Sequence, residues 1–274
     1  MQLAKTIILV LWVLPVLGCS TFLNKASLAD HIARKANFTK EYINTGDFTL
    51  LSYQRLNKGS DSIRIYIEGD GKAWESRHEL SGDPTPSNPL ALRLAILDPA
   101  ENVAYIGRPG QYPIDDIEEC DSKYWSKLRF APEVIDAFNK AIDQLKEAAK
   151  ASQVELVGYS GGGAIAVLVA ARRNDVASIR TIGGNLDPKA FCQYHKVDPL
   201  EGSLDPMVIA QEISHIPQRH FIGSRDTVVP DAIAWSFVKE EGDRGYDRIT
   251  IVKGATHTKP WPQRWKYLLT LAPS

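Results

Sequence analysis

The sequence predicts one α/β domain whose mostly parallel, doubly wound sheet carries helices on both faces. Three observations predict it. Short β-branched runs alternate with helical patterns from residue 48 to the end, and right-handed crossovers then place helices on both faces. The chain has 274 residues, 44% of them hydrophobic, which suffices for one large core. No internal repeat or low-complexity tract breaks the alternation. Lysine plus arginine (32) nearly balance aspartate plus glutamate (33), so the chain has no global field that would gather nucleic acid.

The amino terminus stands apart. Lys5 is followed by the apolar run Ile7–Leu17 and then Gly18-Cys19-Ser20, the pattern of a signal peptide over residues 1–18. The run is shorter than the roughly 20 apolar residues of a membrane-spanning helix. Val16-Leu17-Gly18-Cys19 resembles the lipobox of bacterial lipoproteins. That resemblance implies cleavage before Cys19, lipidation of Cys19 and a membrane anchor in the cell envelope. Ser20 after the cysteine implies the outer membrane, facing the periplasm, in a Gram-negative cell; ordinary secretion is the alternative. Residues 19–47 are expected to be a polar, partly helical spacer, with the domain proper over 48–274. Cys120 and Cys192 would remain in a compartment that permits disulfides, either paired or as separate buried thiols.

Phe48–Arg55 and Ser62–Glu68 read as the first strands, Ser-Ile-Arg-Ile-Tyr-Ile-Glu being the clearer. Gly69-Asp70-Gly71 ends the second, and three prolines between Asp83 and Pro89 exclude a regular element there. A short helix at Leu90–Leu97 and a strand at Asn102–Ile106 follow, closed by Arg108-Pro109-Gly110. Pro132–Ala151 is the strongest helix: Val134, Ile135, Ala137, Phe138, Ala141, Ile142 and Leu145 recur at three- and four-residue spacing behind a proline suited to the first turn. Then come a strand at Val154–Val157, a helix at Gly162–Arg173, a strand at Ser178–Ile182 and an irregular stretch, 185–216, with room only for a small cap. A strand at Arg219–Ile222, a helix at Asp231–Glu240, a strand at Arg248–Val252 and a helix near Pro262–Leu271 complete the chain. Sites in such sheets lie at the carboxyl ends of the strands.

The chemistry-bearing segment is Gly158-Tyr159-Ser160-Gly161-Gly162-Gly163, between an apolar strand and a helix. A sharp strand-to-helix turn exposes the serine hydroxyl over a helix amino terminus, and glycines are needed where a Cβ would collide. A phosphate loop would require Gly-Lys-Ser/Thr and a dinucleotide loop the spacing G-x-G-x-x-G near the first strand; neither is present. A serine nucleophile needs a base. Of the six histidines, His257 follows the last predicted strand and is well placed, whereas His220 lies within a strand and reads as structural. The orienting carboxylate is Asp226, just past the strand ending at Ile222, with Asp187 as the competing acid.

With Ser160, Asp226 and His257 in that chain order, the sequence resembles the α/β-hydrolase superfamily from about Phe48 to Leu271. The resemblance implies an esterase- or lipase-like serine hydrolase that forms an acyl-enzyme on a small-molecule or lipid ester and needs no metal or organic cofactor. It implies that the Gly161 N–H is half of the oxyanion hole. The other half comes from the turn Glu68-Gly69-Asp70-Gly71, where many members carry His-Gly: Asp70, with Gly71 as second choice. Carboxylesterase action is the leading reading; a thioesterase, amidase or peptidase would use the same residues. A non-catalytic envelope lipoprotein with a binding scaffold is the rival from another class, and the intact set of three residues speaks against it. Glu68 and Asp70 have a rival reading as paired carboxylates, but no histidine or third acid lies near at ligand spacing. Trp74, Tyr112, Trp125 and Tyr159 either line an acyl pocket or pack the core. Arg108 either binds a substrate carboxylate or pairs with a local acid.

Overall fold

The computed structural model describes residues 24–57, 59–113, 120–242 and 245–274; the expected signal peptide and Cys19 lie outside them. In chain order the elements are α1 (Lys25–Lys35), β1 (Thr39–Asn44), β2 (Thr49–Arg55), β3 (Ser62–Ile67), β4 (Trp74–Ser76), β5 (Glu79–Leu80), α2 (Leu90–Ala95) and β6 (Val103–Ile106). They continue as α3 (Pro132–Ala149), β7 (Gln153–Tyr159), α4 (Gly161–Ala170), β8 (Val176–Ile182), α5 (Pro188–His195), α6 (Pro206–Ile209), β9 (Gln218–Gly223), α7 (Asp231–Glu240), β10 (Ile249–Val252) and α8 (Trp261–Thr270).

Eight strands form one sheet in the order β1-β2-β6-β3-β7-β8-β9-β10, and β4 pairs with β5 in a separate hairpin. The six strands from β6 to β10 run parallel, while β2 is antiparallel to both of its neighbours. Alternation along β3 sorts the two layers. Ile63, Ile65 and Ile67 pack with α3 and α4 on one face. Tyr66 packs on the other with Leu90 and Leu92 of α2 and with Trp261 and Trp265 of α8. All seven apolar positions that predict α3 are buried, and α4 is buried all round, as a helix apolar on every side must be.

A polar network that periodicity does not announce ties the second layer to the sheet. Arg64 donates to both carboxylate oxygens of Asp98 (2.9 and 2.8 Å) and to Glu155 (2.8 Å). The Tyr66 hydroxyl also donates to Asp98 and accepts from the Trp265 indole (3.0 Å). Burying these groups is tolerable because each finds a partner.

One expectation needs correction. Residues 19–47 are not merely a spacer: α1 buries Ala29, Ile32 and Ala33, and β1 pairs with β2 along its whole length, so the fold begins well before Phe48. As an edge strand, β1 buries only Ile43, which leaves no alternating signature. Of the two readings open for Cys120 and Cys192, the structure has separate thiols, Cys192 buried and Cys120 half-buried. Burial pushes both thiols up, Cys120 to about 11. Within the 185–216 stretch, α5 and the segment 196–205 that leads into α6 line an open pocket of ≈ 390 Å³ that includes Cys192, Leu200 and Leu204.

Candidate active site

The carboxyl ends of β7, β9 and β10 converge. Ser160 sits between β7 and α4 with φ 52° and ψ −122°, a conformation costly for a side-chain-bearing residue. Backbone bonds over-determine it: its N–H donates to the Ile182 carbonyl (3.0 Å), and its own carbonyl accepts from Gly163 (2.9 Å) and Asn185 (2.9 Å). The turn admits no side chains beside it. A Cβ on Gly158 would lie 2.3 Å from the Gly162 carbonyl oxygen, and one on Gly162 would lie 2.3 Å from that of Ile67. The first turn of α4 therefore presses directly on β7 and β3.

His257, in the loop after β10, places Nε2 3.0 Å from Ser160 Oγ and Nδ1 2.8 Å from Asp226 Oδ2. Asp226, in the loop after β9, accepts at Oδ1 from the N–H groups of Val228 and Val229 (both 2.9 Å). Its side chain has no exposed area, whereas that of His257 is 12% exposed; the chain of three thus runs from a buried carboxylate to an accessible hydroxyl. The His257 loop is pinned by the Trp261 indole, which donates to the carbonyls of Thr256 and His257, and the Tyr159 ring lies 5.1 Å from the imidazole.

The rival residues are occupied elsewhere. Asp187 caps α5 through the Ala190 N–H (2.9 Å) and accepts from Ser236 (2.8 Å). His220 is fully buried between β8 and α7 elements, 2.9 Å from Thr181 Oγ1, and burial, reinforced by Arg248 and Arg219, drives its imidazole down to about 3. Tyr112 and Trp125 are core residues: one hydroxyl bonds Tyr105 (2.8 Å), the other indole donates to the Ser81 carbonyl (3.1 Å). Trp74 is largely exposed on the β4–β5 hairpin.

Beside the serine lies the turn after β3. Gly69 is close enough that a Cβ there would be 3.1 Å from Ser160 Cβ. Glu68 is buried, accepts from the Gly69 N–H (2.9 Å), and is pushed up by burial to about 7. It is therefore no partner for Asp70 in a carboxylate pair, since Asp70 is bound instead by Arg108 Nη1 (2.9 Å) and Arg129 Nη1 (2.7 Å). Against its burial, Arg129 and Arg108 hold the Asp70 carboxyl below its usual range. Arg108 thus pairs with a local acid. Arg129 carried no sequence signal, because its partner is 59 residues away in the chain. Gln111 was equally silent; it donates to the Gly69 carbonyl (3.0 Å). Among the described residues, no protein group accepts from the N–H of Asp70, Gly71 or Gly161, and no cluster of three potential metal ligands occurs.

A family model described as Serine hydrolase (FSH1) matches residues 95–261, a span that includes Ser160, Asp226 and His257. No curated protein matches the sequence. Among solved structures, an esterase of Pyrococcus furiosus superposes with a TM-score of 0.58 at 14% identity, covering 86% of this chain and 90% of that one. An alpha-beta serine hydrolase homologue from Coxiella burnetii gives 0.55 at 16% identity over 84% and 93%. Est1E from Butyrivibrio proteoclasticus gives 0.54 at 14% identity over 84% and 98%. At such identities the likeness is one of fold, and the fold is that of the α/β-hydrolases.

Proposed function

This chain belongs to the serine hydrolase (FSH1) family, and from that premise we propose that it is a carboxylesterase of the cell envelope working through Ser160, His257 and Asp226. The observation that carries the reading is the unbroken contact from Ser160 Oγ through His257 to the buried Asp226 carboxylate, at 3.0 and 2.8 Å. Ser160 Oγ attacks the acyl carbon while His257 Nε2 takes its proton; the proton passes to the alkoxide leaving group, the alcohol departs, and an acyl-serine remains. Water, deprotonated by the same nitrogen, then releases the acid. Asp226 holds Nδ1–H toward itself and so keeps Nε2 an acceptor.

The oxyanion is received by the Gly161 N–H, at the amino terminus of α4, and by that of Asp70, with Gly71 second. Their lack of protein acceptors supports this. Gly69 is set aside, because its N–H already serves Glu68. The small cap and the partly exposed imidazole favour a short or medium acyl ester, or a larger ester presented at the surface.

The test is a fluorophosphonate probe and a p-nitrophenyl ester series with the detergent-solubilised full chain, beside Ser160→Ala. Labelling and turnover that vanish in the variant support the reading; a folded wild type that neither labels nor turns over overturns it. Envelope anchoring rests on Val16–Cys19, only six residues before α1 begins. A mature amino terminus whose intact mass lacks lipid on Cys19 would remove it.

A further inference from the structure

We propose that the side chains of Asp70, Arg108 and Arg129 form a clamp that sets both the position and the local charge of the turn receiving the oxyanion. The inference rests on the Ser160 reading above and concerns positioning residues, which act through the Asp70 and Gly161 backbones.

The turn 69–71 belongs to no helix or strand, and its Asp70 and Gly71 N–H groups have no protein acceptor. Gln111 holds the Gly69 carbonyl (3.0 Å) and the Lys72 N–H donates to the Pro84 carbonyl (2.9 Å), which leaves Asp70 between them to be fixed. Two guanidiniums grip opposite oxygens of the Asp70 carboxylate, Arg108 on Oδ1 at 2.9 Å and Arg129 on Oδ2 at 2.7 Å. They come from two separate segments, the turn after β6 and the run leading into α3, and are themselves immobilised. Arg108 Nη2 donates to the Arg129 carbonyl (2.6 Å), Arg129 Nε to the Ser126 carbonyl (2.7 Å), and Arg108 lies 5.5 Å from the Phe130 ring centroid. Their side chains are only 3% and 11% exposed. A charge-assisted grip on both oxygens removes the freedom a surface turn would otherwise keep.

The second role is electrostatic. A Cβ on Gly161 would lie 2.1 Å from Asp70 Oδ1 and 3.1 Å from Arg108 Nη1. A carboxylate thus sits against the very residue whose N–H is to stabilise a negative charge. Alone it would oppose that charge; with two guanidiniums the local sum changes from −1 to +1, and the sign becomes favourable.

The two roles predict an unusual pattern. In the full-length protein, Arg129→Met is expected to lower kcat for p-nitrophenyl butyrate about 10- to 100-fold with KM changed less than about threefold, as loss of an oxyanion contact does. Asp70→Asn is expected to cost about tenfold. The double variant should be faster than Arg129→Met, because removing the carboxylate returns the local sum from 0, with Arg108 alone against Asp70, to +1; Arg129→Lys, which keeps the charge, should recover part of kcat. Affinity for a trifluoromethyl ketone, whose serine adduct carries the oxyanion, should fall with kcat/KM. A purely structural role would move Tm without this kcat-specific rescue. If Arg129→Met does not fold, Asp70→Asn and Arg129→Lys decide by the same kcat and inhibitor readouts. Folded variants with kcat within about threefold of wild type, or a double variant slower than Arg129→Met, overturn the clamp. In both cases a wild type that labels and turns over leaves the hydrolase reading standing; a wild type that does neither ends both.

Discussion

Asp226→Asn is the sharpest probe of the site, because the structure dictates which way the new amide must face. Asp226 Oδ1 accepts from the N–H groups of Val228 and Val229, so the amide oxygen of an asparagine stays there and its NH2 is directed at His257 Nδ1. An amide donor makes Nδ1 the acceptor and places the imidazole proton on Nε2, 3.0 Å from Ser160 Oγ. That nitrogen can no longer take the serine proton. Wrong-tautomer substitutions of this kind in serine hydrolases cost about 10⁴ in kcat, or about 5.4 kcal/mol at ~1.36 kcal/mol per decade. The backbone contacts at Oδ1 survive, so Tm should be close to wild type. Initial rates with a p-nitrophenyl ester, together with the second-order rate of fluorophosphonate labelling, measure the effect, and both should fall together. Retention of kcat within about tenfold in a folded variant would refute the tautomer argument and the assignment of Asp226 as the orienting acid.

Three further outcomes follow from the same geometry. Asp187→Ala removes the α5 cap and the Ser236 bond, so calorimetry should show about 1–2 kcal/mol less stability while kcat stays near wild type; a loss like that of Asp226→Asn would reinstate Asp187 as the acid. Gly158→Ala drives a methyl to 2.3–2.6 Å from three backbone atoms of the turn after Ser160, and overpacking of that kind should cost at least about 1–3 kcal/mol and slow labelling; an unchanged Tm and rate would show the elbow is looser than described. His220 binds no proton in the folded state until about pH 3, whereas unfolded histidine takes one near 6.5. The folded state therefore holds fewer protons between these limits, and stability from this group is lost as pH falls from about 6.5, by about 1.4 kcal/mol per unit. Burial of Glu68, pushed up to about 7, acts in the opposite sense but is common to wild type and variant. The stability difference between wild type and His220→Gln should thus shrink by about 2 kcal/mol from pH 6.5 to 5 in urea titrations; a pH-independent difference would contradict the neutral buried imidazole.

The parts that local chemistry controls were legible in the sequence. The seven apolar positions of α3, the strand-to-helix glycine turn at 158–163 and the places of Asp226 and His257 just past strand ends each leave a pattern within a few residues, because helix period, steric crowding and strand ends are short-range facts. The weak signals failed for equally physical reasons. An edge strand such as β1, exposed except at Ile43, has no apolar face to alternate. The irregular 185–216 stretch hides α5 and α6, which are only eight and four residues long.

What only the tertiary structure decided is which distant groups meet. Asp226 and Asp187 both follow strands and both look able to serve a histidine; in the fold it is Asp226 that meets His257 (2.8 Å), while Asp187 bonds the α5 amino terminus and Ser236. The grip of Arg108 and Arg129 on Asp70 spans 38 and 59 residues, with no spacing rule to reveal it. Identity and periodicity determine how a segment folds, but a contact between segments depends on how whole layers stack, and that is set by the sum of the core rather than by any residue in the pair.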